Sequence, residues 1–183
     1  MSEKYVEIEG VHHVAYRCRD AEQTRWFYED ILGLKLAAAM SFDHLSGTDK
    51  KIEYMHIFFE MQDGNYIAFF DDPHNAPGDF FKDMNGFDSH VAVEVESMED
   101  LKAVESNLNS IEWGSFIIDH EFVTSLYIFD PNGIQLEFTC RASDHDEIME
   151  EDAAKAHQEI KKWTEKTREM KVQKFGEEAL SPK

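Results

Sequence analysis

The chain has 183 residues, 42% hydrophobic and 13% aromatic, and a formal net charge of −20 at pH 7. That length and apolar content suit one domain of ordinary size with a real core. The acidic excess excludes nucleic-acid binding by phosphate neutralisation and opposes docking on anionic membranes, and no apolar run of about 18 residues is present to span a bilayer.

The opening residues, Met-Ser-Glu-Lys-Tyr-Val-Glu, lack the basic and apolar regions of a signal peptide. Cys18 and Cys140 are the two cysteines and stand far apart. That is no disulfide framework, and it fits a reducing, cytoplasmic compartment.

A strand is expected from His13, then a helix over 21–31, where Trp26, Phe27 and Ile31 recur at helical spacing. β-rich runs follow at 35–39, 54–61 and 65–70, the last two joined by Gln-Asp-Gly-Asn. A linker over 73–85 carries His74. From His90 the order recurs: strand, helix over 98–108, then strands at 111–117, 124–129 and 134–139, with Asp-Pro-Asn-Gly before the last. Setting His13 on His90 aligns His-Val-Ala in both halves, which makes the chain an internal repeat. The expected fold is α+β: one domain, 8–141, of two βαβββ modules (8–72 and 86–141), with a charged helical extension over 143–183. In that extension Met149, Ala153, Ala156, Ile160, Trp163, Thr167 and Met170 alternate spacings of four and three. Such a stripe suits a helix packed on its own domain; a dimer contact or a lid over the site is the other reading.

Aligned at Gly64 and Gly133, the last strands of the halves superpose, and Glu137 falls on Ala68. His13, His90 and Glu137 each sit among apolar residues on strands that would otherwise be core. A lone buried histidine is usually a hydrogen-bonded core residue. Two repeat-related histidines plus a glutamate make a stronger case. Two imidazoles and one carboxylate on one side of a cation is the facial triad of non-haem Fe(II) oxygenases, and the same set with one open position suits catalytic zinc.

The stretch "HHVAYRCRDAEQTRWFYEDILGL" resembles the opening of the vicinal oxygen chelate superfamily, which includes glyoxalases, epimerases, fosfomycin-modifying enzymes, antibiotic-sequestering proteins and ring-cleaving dioxygenases. The resemblance covers residues 8–141 and implies a curved mixed sheet around a metal. Glyoxalase I and methylmalonyl-CoA epimerases place a fourth ligand where this chain has Ala68. The fosfomycin enzymes have a threonine where it has Ala15. His120, Leu126, Tyr127, Asp130, Pro131, Gly133 and Glu137 follow the spaced pattern of the type I extradiol dioxygenases. That resemblance implies a metal held by His13, His90 and Glu137, with Tyr127 and His120 hydrogen-bonding substrate and intermediates, and His74 as second-sphere acid–base. It implies Fe(II), with Mn(II) as alternative, and a small aromatic diol and O2 as reactants, in catabolism of aromatic compounds. Family members of this type have four modules; this chain has one pair. A metal-dependent isomerase, epimerase or lyase, or a non-catalytic binder of small molecules, are the rival readings, and a homodimer or higher homo-oligomer is compatible with all of them.

Other positions read more plainly. His12 is expected on the strand face opposite His13. His56 suits a core or a pocket equally, and His44, His145 and His157 suit the surface. Arg17 is expected in an ordinary salt bridge, and both cysteines in structural positions.

Overall fold

The computed structural model describes residues 7–82 and 84–181; the N-terminal stretch read above for a signal peptide lies, through residue 6, outside them. The chain divides into two compact units, Met1–Ile118 with Ser125–Cys140, and Asp119–Thr124 with Arg141–Lys183.

The repeat is realised. The first half runs β1 (His13–Cys18), α1 (Ala21–Arg25) continuing into a π-helical turn (Trp26–Ile31), β2 (Lys35–His44), β3 (Lys51–Glu60) and β4 (Tyr66–Asp71). The second runs β5 (His90–Glu94), α2 (Met98–Ser110), β6 (Phe116–Asp119), β7 (Val123–Phe129) and β8 (Gln135–Arg141). The strands make two separate four-stranded mixed sheets, β1-β4-β3-β2 and β5-β8-β7-β6, rather than one continuous sheet. In each, the first and last strands pair in parallel, which requires the crossover that the helix supplies. The helices start at repeat-related caps: Asp20 accepts from Gln23 N at 2.6 Å and Ser97 from Asp100 N at 3.2 Å, each satisfying an otherwise orphaned amide.

Strand alternation sorts the side chains. Ile57, Phe59, Ile67 and Phe69 are buried on one face of the first sheet. Tyr28 packs there, its ring 5.2 Å from Phe59 and 4.8 Å from Phe69. Leu101, Leu108, Leu126, Ile128, Ile134, Leu136 and Phe138 of the second half belong to the same cluster, each such burial contributing about 1.5–3 kcal/mol. The opposite faces carry the candidate site residues. β6 begins at Phe116, later than 111, because α2 closes with Glu112 at φ 56° and Trp113 N donating to Leu108 O at 2.9 Å. Trp113 then lays its ring 5.1 Å from Phe27.

The Asp-Pro-Asn-Gly turn locks the two halves together. Asp130 and Asn132 are buried. Asn132 Oδ1 accepts from Arg19 N at 2.8 Å, and its Nδ2 donates to Thr24 Oγ1 at 3.3 Å. In the repeat-related turn of the first half, Asp63 is exposed and accepts from Asn65 N within its own turn.

In the second unit, α3 (His145–Phe175) ends at Gly176, φ 83°, and the short α4 (Glu177–Leu180) follows. Most of the apolar stripe on α3 is exposed. Ile160 is 65% exposed, Trp163 57% and Met170 67%; Thr167 alone of the stripe is buried. Among the described residues no helix is long and apolar enough to cross a membrane. Cys18 and Cys140 are buried and unbonded to each other, and burial pushes the Cys18 thiol up to about 12.

Candidate metal centre

Parallel pairing of β5 with β8 sets Ala92 beside Glu137 and His90 beside Gln135, so His90 and Glu137 project from one face within reach. His90 Nε2 lies 2.8 Å from Glu137 Oε2. The other carboxylate oxygen, Oε1, accepts from Ser125 Oγ and from Thr139 Oγ1 at 3.2 Å, and the Tyr127 hydroxyl donates to the same carboxylate. Burial alone would raise the Glu137 carboxyl, but these donors outweigh it and hold it below its ordinary range. Tyr127 is pushed up by burial first and then by the Glu137 charge, so its hydroxyl stays a proton donor at neutral pH. Its ring stacks on Phe116 at 5.2 Å and meets His90 edge-on at 6.1 Å.

Ser125 and Thr139 are absent from the sequence-derived set. Strand parity would have found them, since Ser125 shares a face with Tyr127 and Thr139 with Glu137.

His13 stands elsewhere, on the corresponding face of the first sheet. Its Nδ1 lies 2.9 Å from His12 Nδ1, and its ring is 5.5 Å from Phe58 and 6.3 Å from His56. His12 therefore lies against His13 and not on the opposite face, because it precedes the strand and does not follow its alternation. His56 stacks on Phe70 at 3.8 Å, its Nε2 buried without a partner among the described residues. Burial, and then the His13 charge, lower its pKa.

His74 is exposed, its Nε2 3.5 Å from Glu53 Oε2, beside a groove of about 820 Å³ also lined by Met55 and Ile57. Those two belong to the sheet face opposite His56 and Phe58. His120 lies in the second unit, where its amide donates to Val123 O at 2.8 Å. Arg17 makes the expected ion pair, Nη1 to Asp72 Oδ2 at 2.9 Å.

The donor chemistry fits a divalent cation in part. Two cis ligands about 2.1 Å from a metal stand about 3 Å apart, close to the His90–Glu137 separation. As it stands that pair is a hydrogen bond, and among the described residues no three His, Cys, Asp or Glu side chains gather as a metal-holding group. His13 is thus not in the His90–Glu137 cluster.

Comparison with known proteins agrees with this architecture. The profile of the glyoxalase/bleomycin resistance protein/dioxygenase superfamily matches residues 10–138. No curated protein matches the chain. A glyoxylase/bleomycin resistance protein/dioxygenase domain from Frankia sp. superposes with a TM-score of 0.60 at 23% identity, over 74% of this chain and 100% of that one. For a dioxygenase-named protein of Bacillus subtilis the values are 0.57 and 20%, over 72% of this chain and 40% of that one. A fosfomycin resistance protein from Listeria monocytogenes, solved with Mn(II), gives 0.55 and 16%, over 76% and 98%. At these identities the likeness is one of fold. With two repeat-related βαβββ halves and a profile match spanning both, the chain belongs to the glyoxalase/bleomycin resistance protein/dioxygenase superfamily.

Proposed function

We propose that the protein is a metal-dependent enzyme of this superfamily that opens a catechol-type aromatic ring with O2 by extradiol cleavage. The observation that carries the reading is the His90 Nε2–Glu137 Oε2 approach of 2.8 Å, with Ala68 at the repeat-equivalent of Glu137, so that the ligand set stays open. In this reading His90 and Glu137 hold Fe(II) or Mn(II), and His13 is the third donor. When bound, such a cation supplies acidification of the diol hydroxyls and oxygen activation.

The chain's own residues do the rest. Ser125 and Thr139 tie down Oε1 of Glu137 and orient the carboxylate, leaving Oε2 directed at His90. Tyr127 keeps its proton at Oη and can donate it to a substrate oxygen or developing anion. Phe116, stacked on Tyr127, shields that hydroxyl's ring from water. His13 meets His12 through Nδ1, which leaves Nε2 as its metal-facing nitrogen. His74 has no part in this reading, because its contact is with Glu53. The two buried cysteines, not in a disulfide, fit a cytoplasmic setting.

The test is anaerobic loading with Fe(II), addition of catechol and aryl-substituted catechols, then admission of air. Oxygen uptake with a yellow ring-fission product is the expected result. Bound iron without oxygen consumption across the panel would sink the dioxygenase reading and point to an isomerase, epimerase or lyase.

A further inference from the structure

Trp163 stands on the open side of α3 with the Lys166 and Lys171 ammonium groups 5.5 and 5.9 Å from its ring. Every residue from 149 to 166 is exposed. The stripe from Met149 to Met170 runs for about 32 Å along this helix, and an apolar heptad stripe of that length without a cover is unfavourable in water. At the C-terminal end Thr167 is closed off, its hydroxyl donating to Trp163 O at 2.8 Å, and Arg168 is held by Glu177 of α4. Trp163 and Met170, on either side of Thr167, remain open.

We propose that α3 pairs antiparallel with α3 of a second copy of this chain, Ile160 of each helix lying against the partner's Trp163. The flanking charges choose that partner and that direction. Residues beside the stripe are acidic in the N-terminal half, Glu150 and Glu159, and basic in the C-terminal half, Lys166 and Lys171. Antiparallel pairing in this register sets Glu159 beside the partner's Lys166 and Glu150 beside the partner's Lys171, each twice by symmetry. Parallel pairing would set Lys166 beside the partner's Lys171, a like-charge contact. Opposed helix dipoles add to the preference. Glu159 exchanges its present bond to Lys162, 2.6 Å within its own helix, for the partner's Lys166.

The test is sedimentation velocity of the full chain at micromolar concentration, beside Glu159→Lys, Lys166→Glu and the double variant, with circular dichroism as a check that α3 persists. The parent is expected to be a dimer. Each single change weakens dimerisation about tenfold, and the double change restores it, because the pairs re-form with signs exchanged. Trp163 emission shifts to the blue as concentration rises. A monomeric parent overturns the proposal. So does a dimer indifferent to the single changes, or a double variant as weak as the singles. None of these outcomes bears on the metal reading.

Discussion

The Tyr28 hydroxyl donates to the Asp130 carboxylate at 3.1 Å in a fully closed interior, from one half of the repeat into the other. The same oxygen of Asp130 also accepts from Asn132 Nδ2 at 3.0 Å, and the other oxygen from the amides of Asn132 and Ile134 at 2.8 Å each. Tyr28→Phe keeps the ring between Phe59 and Phe69 and removes one donor from a buried carboxylate. The expected loss is about 1–3 kcal/mol, read from urea unfolding midpoints at unchanged slope. An unchanged midpoint would show that the contact contributes nothing to stability.

Acid should act on Asp130 against the usual carboxylate trend. Burial raises its pKa more than its four donors lower it. A group whose folded pKa lies above its unfolded value, about 3.9, favours the fold when protonated. Its contribution is complete below the unfolded value and is lost as pH rises through the folded one. The stability difference between the parent and Asp130→Asn should therefore widen on acidification toward pH 4 and narrow above it. A pH series of melting temperatures for the two proteins checks the sign.

Gly133 and Gly64 are repeat partners with nearly the same backbone, φ 83° and 81°, yet alanine should be tolerated differently. A Cβ at Gly64 meets nothing within 4 Å, whereas one at Gly133 comes 3.1 Å from Met84 Cβ and 3.5 Å from Phe81 O. Gly64→Ala is expected to cost about 1 kcal/mol from the positive φ alone, and Gly133→Ala more. Equal losses in chemical denaturation would contradict the packing argument.

A divalent cation that binds the folded chain stabilises it by mass action, by about 2.7 kcal/mol at a hundredfold excess over the dissociation constant, and so raises its melting temperature. Mn(II) should produce this shift in the parent protein. It should fail to do so in Glu137→Gln and His90→Ala, and in His13→Ala if His13 is the third ligand. A His13→Ala protein that retains full metal content would remove His13 from the set.

Much of the fold could be read from local pattern. The histidine repeat, the caps Asp20 and Ser97, and the alternation of Ile57, Phe59, Ile67 and Phe69 against His56 and Phe58 are all short-range signals, and each half takes the expected order. What escaped was long-range. Nothing around Asp130 and Asn132 says that their partners are Tyr28, Thr24 and the amide of Arg19; the motif read for chemistry also fastens the halves together. Tyr127 and Glu137 meet because they occupy one face of neighbouring strands, which parity predicts. His74 sits in a loop, where no periodicity fixes direction, and it turned to Glu53. His13 lies in the other sheet from His90, and strand pattern carries no information on how two sheets are juxtaposed.

At Ala68 the two halves are not interchangeable, because its repeat partner is Glu137. It is fully enclosed, hydrogen-bonded in register between Ala15 of β1 and Phe58 of β3. A glutamate there would need room that Phe58, its partner on β3, occupies. A carboxylate in the first half therefore asks for a smaller residue at Phe58 as well.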